Sequence, residues 1–173
     1  NYVGVGVRGI ARAAAPAEFC WTQSTSGIAA AEERILAAVD KAQSKFNVHK
    51  GRIFLAGYEA GGTMALRVAL RNPGRFAAAV SVNGAFPEGE RPLARLDHLR
   101  KFPLLVAHCR DSGTYPVERL CRELSLFHAA GLSVTLRQYP CGDELNAQML
   151  HDMNVWIMEL VTGVTTSEVG SRE

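Results

Sequence analysis

Long apolar runs are missing from these 173 residues. No stretch approaches the ~20 consecutive apolar residues that a membrane-spanning helix needs. An excess of either charge is missing too. Nineteen Lys and Arg stand against 17 Asp and Glu, a net +2, and the basic residues do not gather into one run, so there is no electrostatic footprint for nucleic acid. Cysteine is scarce. Cys20, Cys109, Cys121 and Cys141 form no C-x-x-C pair, which speaks against a zinc ribbon. We read the thiols as reduced and the compartment as cytoplasmic. There is no signal-peptide pattern and no initiator methionine: the chain opens at Asn1 and runs straight into apolar residues. An upstream segment is therefore expected to be missing from the sequence.

What is present is the composition of a globular domain, 47% hydrophobic and 21% charged. We expect one domain over residues 1–164, with no internal repeat and no second domain, and a polar, disordered tail over 165–173. Apolar runs of strand length alternate with helical periodicity. Strands are expected near 2–7, 52–56, 77–82, 103–108 and 133–139, and a loop over 9–27. Ile28, Ala31, Ile35, Val39, Ala42 and Phe46 recur at helical spacing. A second helix follows from about Thr63 to Asn72. Val117, Leu120, Cys121, Leu124, Phe127 and His128 mark a third helix face, with Cys121 expected to be buried and Gly131 to cap the helix. Met149, Met153, Trp156, Ile157 and Leu160 mark the last helix. Strands apolar along their whole length, alternating with helices, imply an α/β fold: a mostly parallel twisted sheet with helices on both faces.

The most informative segment is Ile53 to Leu70. A buried-type strand runs into Gly57-Tyr58-Glu59-Ala60-Gly61-Gly62 and then a helix. Glycines two residues either side of an apex relieve crowding in a tight strand–turn–helix, the layout of a nucleophile elbow with the usual form G-x-S-x-G. Here the apex is Glu59. The same spacing also serves as a plain packing device between a strand and a helix.

With that segment in place, the sequence resembles the carboxylesterase/phospholipase, dienelactone-hydrolase-like, branch of the α/β-hydrolase superfamily. The resemblance runs from about Trp21 to Leu160. It rests on N-V-H-K-G-R-I-F-L-A-G before the elbow, G-G-T-M-A-L-R-V-A-L-R-N-P-G-R-F-A-A-A-V after it, V-N-G-A-F-P at the next strand end, P-L-L-V-A-H before an acid loop, and Y-P-C-G-D-E before the last helix. The resemblance implies a Ser–Asp–His triad in that chain order. The serine position is Glu59. The acid position is Asp111, or Ser112 if one counts back from Pro116. The histidine position is Asp143. Tyr58, Ala60, Cys109, Arg110, Ser112 and Cys141 are expected to line the pocket around them, with Cys109 and Cys141 close together on neighbouring strand ends. His108 ends a strand beside the site, and its role in the family is structural. The resemblance also implies an earlier strand, with an oxyanion-donor loop after it, lying between the 2–7 strand and the 52–56 strand. It is absent from the sequence, so either an upstream segment or another chain is expected to fill the gap.

A serine hydroxyl needs a base to take its proton, and neither the hydroxyl nor the imidazole is present. The leading expectation is a catalytically degenerate hydrolase relative acting by binding or assembly. A second is an active hydrolase with Glu59 as a carboxylate nucleophile, as in dehalogenases and epoxide hydrolases of this superfamily. A third is a cation-binding pocket formed by Glu59, Asp111 and Asp143, since three carboxylates sharing a small space need a proton, a basic side chain or a cation. We expect no cofactor and no nucleic-acid partner. A small-molecule or protein partner, a homo-oligomer and a larger assembly remain open.

Overall fold

The computed structural model describes residues 2–12 and 15–163; the expected tail over 165–173 lies outside them. In chain order the elements are β1 (Ile10–Arg12), β2 (Ala15–Cys20), α1 (Thr25–Lys45), a 3-10 turn (Lys50–Arg52), β3 (Phe54–Tyr58), α2 (Ala60–Arg71), β4 (Ala78–Val82), α3 (Leu96–Leu99), β5 (Leu104–Cys109), α4 (Val117–Ala130), β6 (Val134–Tyr139) and α5 (Ala147–Thr162). The four later strands form one parallel sheet in the order β3-β4-β5-β6.

The alternation of side chains along each strand builds two cores. Ala79, Leu104 and Val106 face one side, where they meet Ile28, Ala31 and Ile35 of α1, Met64 and Val68 of α2, and Leu120 and Phe127 of α4. Ala78, Val80, Val82, Leu105 and Ala107 face the other, against Met149 and Trp156 of α5. Both faces of β4 and β5 are covered, and every residue of these strands is buried. This is why they read as nearly continuous apolar runs, interrupted only by buried Ser81 and His108, rather than as alternating ones.

Local chemistry sets the helix ends. Ser24 caps α1 by accepting from the Gly27 amide at 3.2 Å. Gly131 takes the left-handed conformation at the end of α4, φ 65°, and there Leu132 N–H reaches back to the Phe127 carbonyl. Arg67 of α2 is 1% exposed. Its guanidinium donates to Gln23 Oε1 and to the carbonyls of Glu88 and Gly89, fastening the loop after β4 onto the helix.

Four expectations need correction. Residues 2–7 form no strand: Tyr2 is 77% exposed, and Val3 and Val5 are each 53% exposed. An apolar run becomes a strand only beside a partner, and among the described residues none pairs with it. Nor does any pair with the outer edge of β3. The stretch 9–27 is not all loop; it holds the antiparallel pair β1 and β2 and the start of α1. Cys121 is exposed rather than buried. The buried line on α4 is Leu120, Glu123 and Phe127, and Cys121 sits one residue, about 100° of helix rotation, away from Leu120. Phe46 ends α1 as an exposed cap residue instead of extending its apolar face.

Candidate functional site

The carboxyl edge of the sheet gathers the ends of β3, β4, β5 and β6. At the end of β3 the chain turns into α2 at Glu59, whose backbone sits at φ 47°, ψ −119°. A positive φ at a residue with a side chain is strained, and two things hold it. The Glu59 amide donates to the Val82 carbonyl at 2.8 Å, and the Glu59 carbonyl accepts from the Thr63 amide at 3.0 Å. The turn closes so tightly that a Cβ at Gly57 would lie 2.1 Å from the Gly61 carbonyl oxygen, and one at Gly84 would lie 2.3 Å from the Glu59 carbonyl oxygen. Gly57 of the G-Y-E-A-G segment, and Gly84 after β4, are glycine for this close approach. The expected elbow geometry is therefore present, with a half-buried carboxylate at its apex and the helix N-terminus beneath it, where a negative charge is favoured.

Asp143, on the loop after β6, is the most densely bonded side chain of the site. Oδ1 accepts from Ser112 Oγ at 2.5 Å, Thr114 Oγ1 at 2.8 Å and Asn83 Nδ2 at 3.0 Å; Oδ2 accepts from the Gly113 amide at 3.1 Å. These donors, Ser112 and Thr114 foremost, hold its carboxyl well below the usual aspartate range although it is solvent-accessible. Its backbone carbonyl accepts the Tyr58 hydroxyl. The Tyr58 phenol is itself pushed up to about 12, chiefly by desolvation and then by the Glu59 charge.

Ser112, 7% exposed, is saturated in turn: it donates to Asp143 and accepts from Asn83 Nδ2 at 3.1 Å and the Tyr115 amide at 2.9 Å. Asp111 does not join this network. Its side chain is 61% exposed and pairs with the equally exposed Arg110 at 3.3 Å, because the chain turns outward at 110–111 before Ser112 comes back in. The expected convergence of Glu59, Asp111 and Asp143 on a cation is not found. Among the described residues no three His, Cys, Asp or Glu side chains form a group that could hold a metal.

His108 is fully buried inside the sheet. Its Nε2 lies 2.8 Å from the Tyr115 carbonyl, which can only accept, so Nε2 carries the proton and Nδ1 is left to accept from Gln138 Nε2 at 3.4 Å. It braces the loop after β5 and offers no base to Glu59. Ala60 is an exposed residue of the first turn of α2. Cys109 and Cys141 are both buried, and their sulfurs lie 2.8 Å apart, as the neighbouring strand ends imply. Two members of the site went unread in the sequence, Asn83 and Thr114. A polar residue directly after the buried strand β4 was the available signal for Asn83, since ligands of parallel sheets collect at the carboxyl ends of strands. Thr114 had no such signal.

A groove of about 630 Å³ lies elsewhere, between the 86–94 loop and α4, and includes none of Glu59, Ser112 or Asp143. Among the described residues no helix is long and apolar enough to cross a membrane.

Comparison with known proteins agrees with this fold. The sequence model of the phospholipase/carboxylesterase family matches residues 16–161. Among solved structures, a carboxylesterase from Mesorhizobium loti superposes with a TM-score of 0.72 at 17% identity, over 87% of this chain and 73% of that one. A carboxylesterase from Bacillus cereus gives 0.67 at 16% identity, over 92% and 72%. A variant of SOBER1 from Arabidopsis thaliana gives 0.67 at 18% identity, over 88% and 71%. At these identities the structural likeness shows the fold.

Proposed function

Because this chain belongs to the phospholipase/carboxylesterase family of α/β-hydrolases, we propose that it is a catalytically degenerate member, a pseudo-esterase that acts by binding or assembly. In this reading the three triad positions are Glu59, Ser112 and Asp143, with Ser112 rather than Asp111 in the place of the acid. The observation that carries it is the bonding of Asp143. A general base must present a free lone pair to the group it deprotonates, with a proton affinity suited to neutral pH. Asp143 Oδ1 is taken up by Ser112, Thr114 and Asn83, Oδ2 accepts the Gly113 amide, and the same donors depress its pKa, which leaves it a poor base at neutral pH. Glu59 adds no hydroxyl for it to activate. The test is hydrolysis of short-chain aryl esters by the wild-type chain and by Glu59→Ala.

One observation favours a second reading. The strained elbow backbone at Glu59 is intact, so its carboxylate is aimed as a nucleophile would be. Toward an alkyl carbon such a carboxylate forms an ester that a base must then help water to cleave. With Asp143 occupied, that ester would persist. An alkyl halide or epoxide that leaves a stable added mass on Glu59, without turnover, would support trapping of this kind.

A further inference from the structure

The acid loop, 110–116, and the loop after β6, 140–146, carry Ser112 and Asp143. Each begins beside a cysteine. Cys109 is the last residue of β5, fully buried. Cys141 comes two residues after β6 and is 9% exposed. Their backbones are already laced together: the Asp111 amide donates to the Cys141 carbonyl at 3.0 Å and the Arg110 amide to the Tyr139 carbonyl at 2.9 Å. The two thiols are free and in contact, with Cys141 Sγ donating to Cys109 Sγ at 2.8 Å. Neither thiol has a part in the pseudo-esterase reading, and the pair sits at the base of both loops that make the site.

We propose that Cys109 and Cys141 form a redox-modifiable pair that closes to a disulfide under hydrogen peroxide and covalently ties the Ser112 loop to the Asp143 loop. The order of events follows from access. Cys141 is the less buried residue of the two and meets the oxidant. Burial, reinforced by the Cys141 hydrogen bond, pushes the Cys109 thiol up to about 12, so Cys109 stays protonated and does not react first. The Cys141 thiolate, its proton given to water, attacks one oxygen of the peroxide. An S–O bond forms, the O–O bond breaks, and hydroxide leaves and is protonated to water. The Cys109 sulfur then attacks the Cys141 sulfenic sulfur. The S–S bond forms, the S–O bond breaks, and water leaves with the Cys109 proton. Each sulfur gives up one electron, the peroxide takes both, and the products are one disulfide and two waters.

Exposed Cys121 provides an internal gauge, since it meets the same oxidant with no such neighbour. The full chain is titrated with hydrogen peroxide, denatured in a maleimide, digested with trypsin without reductant, and mapped by mass spectrometry. The expected result is a joined pair of peptides, 102–110 with 138–172, two hydrogens lighter than their sum and parted by dithiothreitol, with maleimide lost from Cys109 and Cys141 in step. In Cys109→Ala, Cys141 should instead stop as a sulfenic acid that dimedone captures. Should that variant fail to fold, the wild-type map decides by itself. The proposal is overturned if both thiols still take maleimide at the dose that oxidises Cys121, if Cys141 goes to sulfinic acid without a joined peptide, or if either residue pairs with Cys20 or Cys121 instead.

Discussion

Ser112 Oγ donates to Asp143 Oδ1 at 2.5 Å, so in the proposed reading the acid and histidine positions of a hydrolase triad are joined by a hydroxyl–carboxylate bond of reversed polarity. In a working triad the acid carboxylate accepts from a histidine, whose other nitrogen stays free to take a proton. On that reading the histidine position holds the carboxylate and the acid position the donor, so the pair presents no imidazole to Glu59.

The bonding of Asp143 should appear in the acid limb of stability. Its folded pKa is depressed, so its contribution is complete above the unfolded aspartate pKa of about 4 and is lost as pH falls from there toward the folded value. Urea unfolding of wild type and Asp143→Asn between pH 7 and pH 2.5 checks this. The variant should be less stable at pH 7, and the gap should narrow below about pH 4. A gap that stays constant with pH would show that the carboxylate charge is not what the donors hold.

Glu59 is strained for its position and not for its fold. Glycine accepts φ 47°, ψ −119° without the clash of a Cβ, so Glu59→Gly should stabilise the protein by about 1 kcal/mol, read as a higher urea midpoint. A loss of stability instead would mean that the Glu59 side chain is held by favourable contacts that outweigh the strain.

The opposite change at the elbow should be costly. Gly57→Ala puts a methyl 2.1 Å from the Gly61 carbonyl oxygen, backbone that cannot turn aside. A loss of about 2 kcal/mol is expected, with β3 and α2 pushed apart. An unfolding midpoint equal to wild type would contradict the close approach.

Much of this was legible in the sequence because strand, helix and elbow signals are local. Arg52 to Ala56 reads as apolar strand, Gly57 and Gly61 bracket an apex, and the sheet's four strands fall within two residues of where apolar runs predict them. Residues 2–7 misled because β-branched residues between glycines satisfy the local pattern of a strand while pairing is a property of the neighbour. Cys121 misled because it lies beside the buried stripe of α4, which spends one of its positions on Glu123. That carboxylate is buried at 8% exposure with Arg119, Tyr115 and the Phe86 amide as partners, and no hydrophobic count would have placed it inside. The choice between Asp111 and Ser112 turns on which way a loop bends, and the ion pair of Arg110 with Asp111 at the surface was not written in the spacing.

Arg67 illustrates the same limit. A charged residue inside the apolar sequence of α2, it is buried with three acceptors, Gln23 Oε1 and the carbonyls of Glu88 and Gly89. Arg67→Met keeps most of the volume but leaves those acceptors unpaired. A loss of about 3 kcal/mol is expected, together with faster amide exchange in the 86–94 loop. Wild-type stability and exchange would show that the loop is held by its own packing.

The central claim, that the triad is lost in chemistry while its architecture persists, is tested most directly by steady-state hydrolysis of a short-chain aryl ester, followed side by side for the wild-type chain and Glu59→Ala at neutral pH. The account predicts equal rates, neither above the buffer background. Turnover by the wild-type chain that Glu59→Ala abolishes would contradict it and make the carboxylate at the elbow a working catalytic residue.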